Sequence, residues 1–326
     1  MIIKDITYRQ NLFFELNKWH ELPVPIYLKL DGLNFAGSIK LKPAIFIIDK
    51  LEREGKIQPG VHSIIESSSG NLAIALAMIC HSRGYSFTAV LDPNTAEDVL
   101  KLLDVYHANI IMVQERDANG GYLETRINTI KRIILEQDHF VWINQYANDD
   151  NARSHYEGTA KEIHSVFNEQ TDPSTPTHIF VGTSTTGTLN GVLNYFTEFS
   201  PATKIIAVEP EGSITFSSHK KMRFIPGIGT SRVPELSRKI NKSKLHDIVW
   251  VKETETVQMC NRLLNDYSLL LGGSTGSIVS AVLAYKDQLG PDDVVVAISP
   301  DFGHKYLETI YNPQWVNKKF NQLVEK

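Results

Sequence analysis

Short apolar, β-branched runs alternate along the chain with longer segments of helical period, and this alternation constrains the fold more than any other feature. In the helical segment Ala44–Glu54, for example, Ile47, Ile48 and Leu51 form one apolar stripe. Strands that alternate with helices of this length favour an α/β fold of parallel sheets covered by helices on both faces. The predicted strands are Pro25–Leu30, His62–Glu66, Tyr85–Leu91, Asn109–Val113, Thr177–Gly182, Lys204–Glu209, Asp247–Val251 and Asp293–Ser299.

Size and composition limit the class of protein. The 326 residues, 42% of them hydrophobic, suffice for one large or two ordinary packed domains. A net charge of -4 argues against a nucleic-acid partner, and no apolar run is long enough to cross a bilayer. The N-terminal segment lacks the pattern of a signal peptide, and Cys80 and Cys260 are predicted to be buried free thiols. We therefore expect a cytoplasmic protein without a membrane partner or a metal site.

Lys40 is the first candidate for chemistry, because it follows Gly37 and Ser38 between an apolar strand and an apolar helix. An amine held out of water has a lowered pKa, and a neutral amine can condense with a carbonyl to form a Schiff base. The alternative is a solvated lysine near the start of a helix. Lys42, two residues further on, is predicted to be solvated.

Three hydroxyl- and glycine-rich segments also open helices, at turns where α/β sheets gather their ligand sites. The turn formed by Ser67, Ser68, Ser69 and Gly70 precedes a helix at Asn71 and suits a carboxylate, or serves only as a helix cap. Gly182–Thr188 suits a phosphate dianion, and it contains no lysine of the Walker type. In Gly272–Ser277, Ser274 could hydrogen-bond a heteroatom, or the segment is only a turn.

In this order, the segments resemble the fold-type II pyridoxal-phosphate enzymes, and more narrowly the cysteine synthase and cystathionine β-synthase family. The resemblance covers about Tyr27 to Tyr306 and is carried by Leu33–Lys40, Ser67–Asn71, Asn144–Asn148, Pro226–Gly229 and Ser299–Gly303. It implies a two-domain fold like that of the tryptophan synthase β-subunit, and a homodimer. It also implies that pyridoxal 5'-phosphate is bound by Lys40 as the Schiff-base lysine, Asn71 at the 3′-oxygen, Ser184, Thr185, Thr186, Gly187 and Thr188 at the phosphate, and Ser274 at the pyridine nitrogen.

Longer segments indicate a subfamily. Asp117–Arg126, Trp142–Asn148 and Gly229–Glu235 are similar to the N-(2-amino-2-carboxyethyl)-L-glutamate synthases of staphyloferrin B-type siderophore pathways, which lead to 2,3-diaminopropionate. This implies β-replacement on O-phospho-L-serine, through an aminoacrylate, with L-glutamate as the nucleophile.

The same resemblance predicts the residues that bind the amino-acid substrates. The substrate carboxylate is expected on the turn of Ser67, Ser68, Ser69 and Gly70, with Gln145 and Gly227 also in the substrate site. Arg126 is the candidate for the leaving phosphate and Arg232 the second, the alternative for either being a surface salt bridge. Tyr146 either hydrogen-bonds a substrate carboxylate or packs in the core.

Three other readings remain open. The chemistry could be that of a cysteine synthase using O-acetylserine or O-phosphoserine and sulfide. The chain could be a catalytically idle relative that binds an amino acid, since Phe35 and Lys42 stand where the family usually has proline and arginine. A nucleotide-binding α/β protein would need a phosphate loop that the segment after Gly182 lacks.

The predicted domains are a smaller mobile one at 34–146 and a larger one formed by 1–33 plus 147–326. The lysine and the carboxylate turn fall on the smaller domain, and the phosphate turn and Ser274 fall on the larger one. Closure of the smaller domain over the substrate is the expected consequence.

Overall fold

The computed structural model describes residues 12–118, 120–168 and 174–320. The chain forms two compact units: Asn34–Asn151 is one, and the described parts of 9–33 and 152–326 are the other. The prediction that residues 1–11 belong to the larger domain lies outside the described residues.

Ten strands and ten α-helices are present in the described ranges. The strands are β1 (Phe13–Leu16), β2 (Ile26–Leu30), β3 (Ser63–Glu66), β4 (Ser86–Leu91), β5 (Asn109–Met112), β6 (Phe140–Trp142), β7 (His178–Gly182), β8 (Lys204–Pro210), β9 (Asp247–Val251) and β10 (Val295–Ser299). The helices are α1 (Leu41–Arg53), α2 (Asn71–Arg83), α3 (Glu97–Val105), α4 (Leu123–Glu136), α5 (Asp149–His155), α6 (Lys161–Asn168), α7 (Gly187–Phe199), α8 (Glu253–Tyr267), α9 (Gly273–Ala284) and α10 (Pro313–Phe320).

The smaller unit is built on a parallel sheet with the strand order β5-β4-β3-β6. Helix α2 is apolar on nearly every side, and its residues Leu72–Cys80 are all buried, as expected for a helix inside a core. Helices α1 and α2 pack in the same cluster as Ile64 of β3 and Phe87 of β4. Because β3 lies between β4 and β6, the turn that follows it is flanked by the ends of two further strands.

The larger unit has a six-stranded sheet in the order β1-β2-β10-β7-β8-β9, parallel except for the antiparallel edge strand β1. Strands β7, β8 and β10 are rich in valine and isoleucine and almost fully buried, as is usual for parallel strands covered on both faces. Helix α9 is buried against this sheet. None of the helices within the described ranges is both long and apolar enough to cross a membrane.

A glycine permits one close approach inside the larger unit. A Cβ added to Gly191 of α7 would lie 2.4 Å from the carbonyl oxygen of Ala152 and 2.7 Å from the backbone nitrogen of Tyr156. Both are backbone atoms, so no side-chain rotation could relieve the contact. The chain widens here into a single π-helical turn, Tyr156–Ala160, which is packed against α7.

The predicted α/β class with parallel sheets is confirmed, and each of the eight predicted strands is present with ends within two residues. Strands β1 and β6 were missed. The sequence of β1, Phe-Phe-Glu-Leu, has no β-branched residue, and β6 has only three residues. Neither has the period-2 pattern long enough to indicate a strand without its neighbours.

Candidate active site

Lys40 lies where the chain enters α1, as the N-cap residue of that helix. Before it, a tight turn is closed by the Gly37 N–H donating to the Asn34 carbonyl at 2.9 Å, and Gly37 has a φ of 64°. Burial lowers the pKa of Lys40 to about 8, although the negative charge of Glu66 opposes the shift. The amine is therefore partly neutral near neutral pH, which is what a nucleophilic lysine requires.

The prediction that Lys42 is solvated is wrong. Lys42 belongs to the first turn of α1, and only 1% of its surface is exposed. Helix α1 is amphipathic, and the apolar residues Leu41, Ala44 and Ile45 around Lys42 carry it into the interior.

The serine turn leads from β3 into the N-terminus of α2, where Asn71 is the first helical residue. Its geometry is set by Ser68, whose Oγ accepts a hydrogen bond from the Ala73 N–H at 3.3 Å. The Oγ of Ser67 is buried and has no hydrogen-bond partner. A buried hydroxyl without a partner, beside the unsatisfied N–H groups of a helix start, suits an anionic ligand.

Gln145 and Tyr146 lie in the turn after β6, the strand next to β3. Gln145 is buried, and its side-chain amide donates to the Ser67 carbonyl at 3.3 Å. Asn151 donates to the Gln145 carbonyl at 2.9 Å, so both ends of this residue are held. Tyr146 is half-buried. The structure therefore brings Gln145 to the serine turn. The order of the motifs in the sequence does not show this contact by itself.

Arg126 is a buried arginine on α4, paired with Asp92 at 3.2 Å. The alternative of a surface salt bridge is wrong for this residue, since it is 7% exposed. Nη1 is the atom that pairs with Asp92, whereas Nε makes no hydrogen bond. A buried guanidinium with an unused donor is a suitable partner for a carboxylate or phosphate. Arg232, the second candidate, is exposed.

The predicted phosphate turn leads from β7 into α7. Thr186 is the N-cap of α7 with a φ of 68°, a left-handed conformation that a β-branched residue rarely adopts. The Ser184 hydroxyl donates to the Gly229 carbonyl at 3.2 Å, and the Gly229 N–H donates to the Thr183 carbonyl at 2.6 Å. The first N–H groups of α7, starting at Gly187 and Thr188, have no carbonyl partner within the helix and are therefore suited to an anion.

A buried polar chain supports Thr188. The Thr159 hydroxyl donates to Asp31 Oδ2 at 3.2 Å, so its oxygen accepts from His155 Nδ1 at 3.0 Å. His155 Nε2 is then an acceptor for the Thr188 hydroxyl at 3.2 Å. Asp31 is itself paired with the buried Lys29 at 2.7 Å. The Thr188 hydroxyl is thus held by His155, and this hydrogen bond does not use the backbone N–H of Thr188.

Ser274 is buried in the first turn of α9, near the carboxyl end of β10. The next residue, Thr275, shares a hydrogen bond of 2.9 Å with Ser299, the last residue of that strand. Before the helix, the Gly272 N–H donates to the Asp301 carbonyl at 3.0 Å. These bonds fix the start of α9, and with it the position of the Ser274 side chain.

Gly227 lies in an exposed turn with a φ of 87°, where a side chain would strain the backbone. The turn is anchored on one side by Arg223, which donates to the Ile228 carbonyl at 2.9 Å. On the other side the Glu253 carboxylate accepts from the backbone N–H groups of Phe224 and Ile225.

Each unit offers a group that suits one part of a cofactor. In the smaller unit an amine with a lowered pKa suits an aldehyde, and in the larger unit a helix N-terminus in a hydroxyl-rich turn suits a phosphate. Sequence reasoning gave no role to Glu66, His155 and Glu209, which are buried beside the predicted site residues. The sequence does contain a signal for Glu66 and Glu209. Each is a charged residue at the end of an apolar strand, in Ile64-Ile65-Glu66 and Ala207-Val208-Glu209.

Comparison with known proteins agrees with this geometry. The profile of the pyridoxal-phosphate dependent enzymes matches residues 7–301. N-(2-amino-2-carboxyethyl)-L-glutamate synthase of Ralstonia nicotianae is 40% identical over 291 residues, which is 89% of this chain and 83% of that protein. The synthase of the same name from Cupriavidus metallidurans is 39% identical over 294 residues, 89% of this chain and 84% of that protein.

Among solved structures, the O-acetylserine dependent cystathionine β-synthase of Helicobacter pylori superposes with a TM-score of 0.86 at 26% identity. The superposition covers 96% of this chain and 100% of that chain. A family match over most of the chain, relatives at 40% identity and a shared architecture lead to one conclusion. This chain belongs to the pyridoxal-phosphate-dependent enzyme family, has the fold-type II architecture, and is a β-replacement enzyme, as its motifs predicted.

Proposed function

We propose that the enzyme replaces the phosphate of O-phospho-L-serine by the amino group of L-glutamate, giving N-(2-amino-2-carboxyethyl)-L-glutamate for the biosynthesis of 2,3-diaminopropionate and a siderophore. The observation that carries this proposal is the identity of about 40% to two synthases of that name over 89% of the chain. The buried Arg126, whose Nε makes no hydrogen bond, supports an anionic leaving group.

The residues of the chain have separate tasks in this proposal. Pyridoxal phosphate, when bound, supplies the electron sink that makes the Cα–H bond of an amino acid acidic. Lys40 would carry the cofactor, and its amine, whose pKa burial lowers to about 8 in the protein without cofactor, would take the Cα proton. Asn71 orients the ring, the turn of Ser184–Thr188 binds the phosphate, and Ser274 faces the ring nitrogen as a neutral partner.

The substrates are held by groups of the smaller unit. The N–H groups and hydroxyls at the start of α2, with Gln145, bind the carboxylate of the amino acid. Arg126 binds the phosphate as it leaves, and Tyr146 lines the substrate site. Gly227, a residue of the larger unit, is also proposed to contact the substrate. Charge-assisted hydrogen bonds from an arginine to a phosphate are stronger than neutral ones, and they stabilise a leaving dianion.

The decisive experiment is the mass of the product. Purified holoenzyme is incubated with O-phosphoserine and glutamate, and separately with O-acetylserine and sulfide. We expect the glutamate adduct and free phosphate from the first pair. Cysteine from the second pair alone would contradict the proposal and establish a cysteine synthase. No product from either pair, together with no covalent label on Lys40 after borohydride reduction, would indicate the catalytically idle relative.

The role of Arg126 is tested with a matched control on the same helix. Arg132, also on α4, is exposed and pairs at 3.3 Å with Glu136, which lies one helical turn after it. We expect Arg126→Lys to raise the KM for O-phosphoserine at least about tenfold, because a bidentate donor is lost. Arg132→Lys should leave it unchanged. Equal effects of the two substitutions would contradict phosphate binding by Arg126.

We also propose that the protein is a homodimer in the cytoplasm, as the family resemblance implies. Light scattering of the purified holoenzyme tests the dimer, and a mass of one chain would contradict it.

A further inference from the structure

Glu66 is a carboxylate in a place where the sheet is otherwise apolar. It ends β3, directly after the fully buried Ile64 and Ile65, and is itself fully buried. An ionised carboxylate away from water is costly unless hydrogen bonds and charges compensate it. Its neighbours are therefore informative about what it does.

Both oxygens of Glu66 accept hydrogen bonds, from backbone N–H groups of two turns and from the ring N–H of Trp142 at the end of β6. Oε1 accepts from the Ser67 N–H at 2.6 Å and from Trp142 Nε1 at 3.4 Å. Oε2 accepts from the Gln145 N–H at 3.2 Å. The Gln145 side chain then donates back to the Ser67 carbonyl at 3.3 Å, which closes a ring of hydrogen bonds. One carboxylate thus joins the serine turn after β3 to the turn after β6.

The positively charged groups that interact electrostatically with Glu66 are Lys40 and Arg126. Arg126 is itself paired with Asp92. Burial raises the pKa of Glu66 to about 7, and the hydrogen bonds from Ser67, Gln145 and Trp142 together with Arg126 hold it below the value that burial alone would produce. The carboxylate form is the one that can accept from all of these donors. Protonation would remove the negative charge and leave the hydroxyl oxygen a weaker acceptor for its N–H partner.

We propose that Glu66 is a positioning residue, whose carboxylate ties the serine turn to Gln145 and so sets the spacing of the groups that bind the substrate carboxylate. The proposal rests on the function proposed above for that turn. Because three N–H donors converge on two oxygens, an amide cannot replace the carboxylate: one of its N–H groups would face a donor. An aspartate keeps the charge but is shorter by one methylene.

The test uses Glu66→Gln and Glu66→Asp, with Glu52→Gln as the matched control. Glu52 also lies in the smaller unit and accepts from Tyr85 at 3.0 Å and from Arg83 at 2.7 Å, but it contacts neither turn. For Glu66→Gln we expect the KM for the amino-acid donor to rise about tenfold or more and kcat to change less than about threefold. Glu66→Asp should have an intermediate KM, and Glu52→Gln the KM of the wild type.

Two further measurements distinguish positioning of the substrate site from a merely structural role. They are the pH dependence of the KM and the hydrogen exchange of two backbone amides. In the wild type the KM should rise as the pH falls through about 7, because protonation of Glu66 removes an acceptor. In Glu66→Gln the KM should be high and independent of pH over this range. In the substrate-free protein, the amides of Ser67 and Gln145 should exchange hydrogen faster in Glu66→Gln than in Glu52→Gln.

A Glu66→Gln enzyme with the KM, pH profile and amide exchange of the wild type would overturn the proposal. If Glu66→Gln does not fold, Glu66→Asp carries the same test, and a wild-type KM and exchange rate in that variant would have the same meaning. If the wild type binds the cofactor but turns over no donor, the proposed function fails. The exchange of the Ser67 and Gln145 amides then still decides whether Glu66 ties the turns.

Discussion

Replacing Lys29 by methionine is expected to lower the melting temperature of the protein without cofactor by about 10 °C. Lys29 lies on β2 and is fully buried, and its ammonium pairs with Asp31 at 2.7 Å and with Glu162 at 2.8 Å. Burial by itself lowers the pKa of Lys29, but the charges of Asp31 and Glu162 more than offset this, so the pKa is raised. The lysine is therefore charged in the folded protein, and its two partners depend on it.

The magnitude follows from the cost of leaving a charge behind. Removing one member of a buried ion pair costs about 3–5 kcal/mol, because the remaining charge stays out of water. For a unit of about 200 residues, 1 kcal/mol corresponds to roughly 2–4 °C in melting temperature. Lys50→Met is the control, since Lys50 pairs with Asp150 at 2.8 Å with 31% and 16% of the side chains exposed. A pair of that kind contributes about 0–1 kcal/mol.

The loss should depend on pH in a defined direction. In Lys29→Met, the carboxylates that paired with Lys29 lose its positive charge, and burial then favours their neutral form. A carboxyl with a raised folded pKa contributes stability at low pH and loses it as the pH rises through that pKa. The difference between variant and wild type should therefore be larger at pH 8 than at pH 5.

Differential scanning fluorimetry of the cofactor-free proteins at both values of pH measures these differences. A decrease below about 3 °C at pH 8, or an equal decrease for Lys50→Met, would refute the cost assigned to the buried charge. A loss that is the same at pH 5 and pH 8 would refute the role given to these carboxylates.

Three further outcomes are expected. Gly191→Ala should destabilise the protein by about 1–3 kcal/mol in urea unfolding, because its Cβ would meet backbone atoms of a neighbouring helix. Gly290→Ala should cost less than about 1 kcal/mol, because its Cβ would meet only Asp293 Oδ2, at an ordinary contact distance of 3.8 Å. Burial raises the pKa of Cys80 and Cys260 to about 12, so iodoacetamide should label neither thiol at pH 8 until urea unfolds the chain; labelling of the native protein would contradict their burial. Burial also raises the pKa of Glu209 to about 7, which lowers stability as the pH rises through 7, so Glu209→Gln should melt higher than the wild type at pH 8 but not at pH 5.5.

The pattern of residue types over a few consecutive positions was sufficient to predict most of the strands and turns. Strands such as β8 and β10 are continuous runs rich in valine and isoleucine. This pattern is typical of strands in a parallel sheet that is covered on both faces. The serine turn and the turn after Gly182 were found because a helix start with hydroxyls and free N–H groups is visible in a few consecutive residues. Strand β6 was missed because three residues become a strand only beside β3.

Side-chain environment required the folded chain. Lys42 and Arg126 have the sequence surroundings of solvated residues, yet both are buried, and Arg126 pairs with Asp92, 34 positions away. The same holds for Glu66, whose acceptor atoms meet Gln145 only because β3 and β6 are neighbours. Burial and partner together set the pKa of such a group, and neither is encoded by adjacent residues.

From its sequence alone, this protein was predicted to have a parallel α/β fold, because hydrophobic period and turn chemistry act over a few residues. Its motifs resembled those of the pyridoxal-phosphate enzymes, and the family match confirms that resemblance. Only the tertiary structure decided which charges are buried, which donors are left without partners, and which turns are joined by Glu66. These properties depend on contacts between segments far apart in the chain, and the free energy of a buried charge is set by all of its neighbours at once.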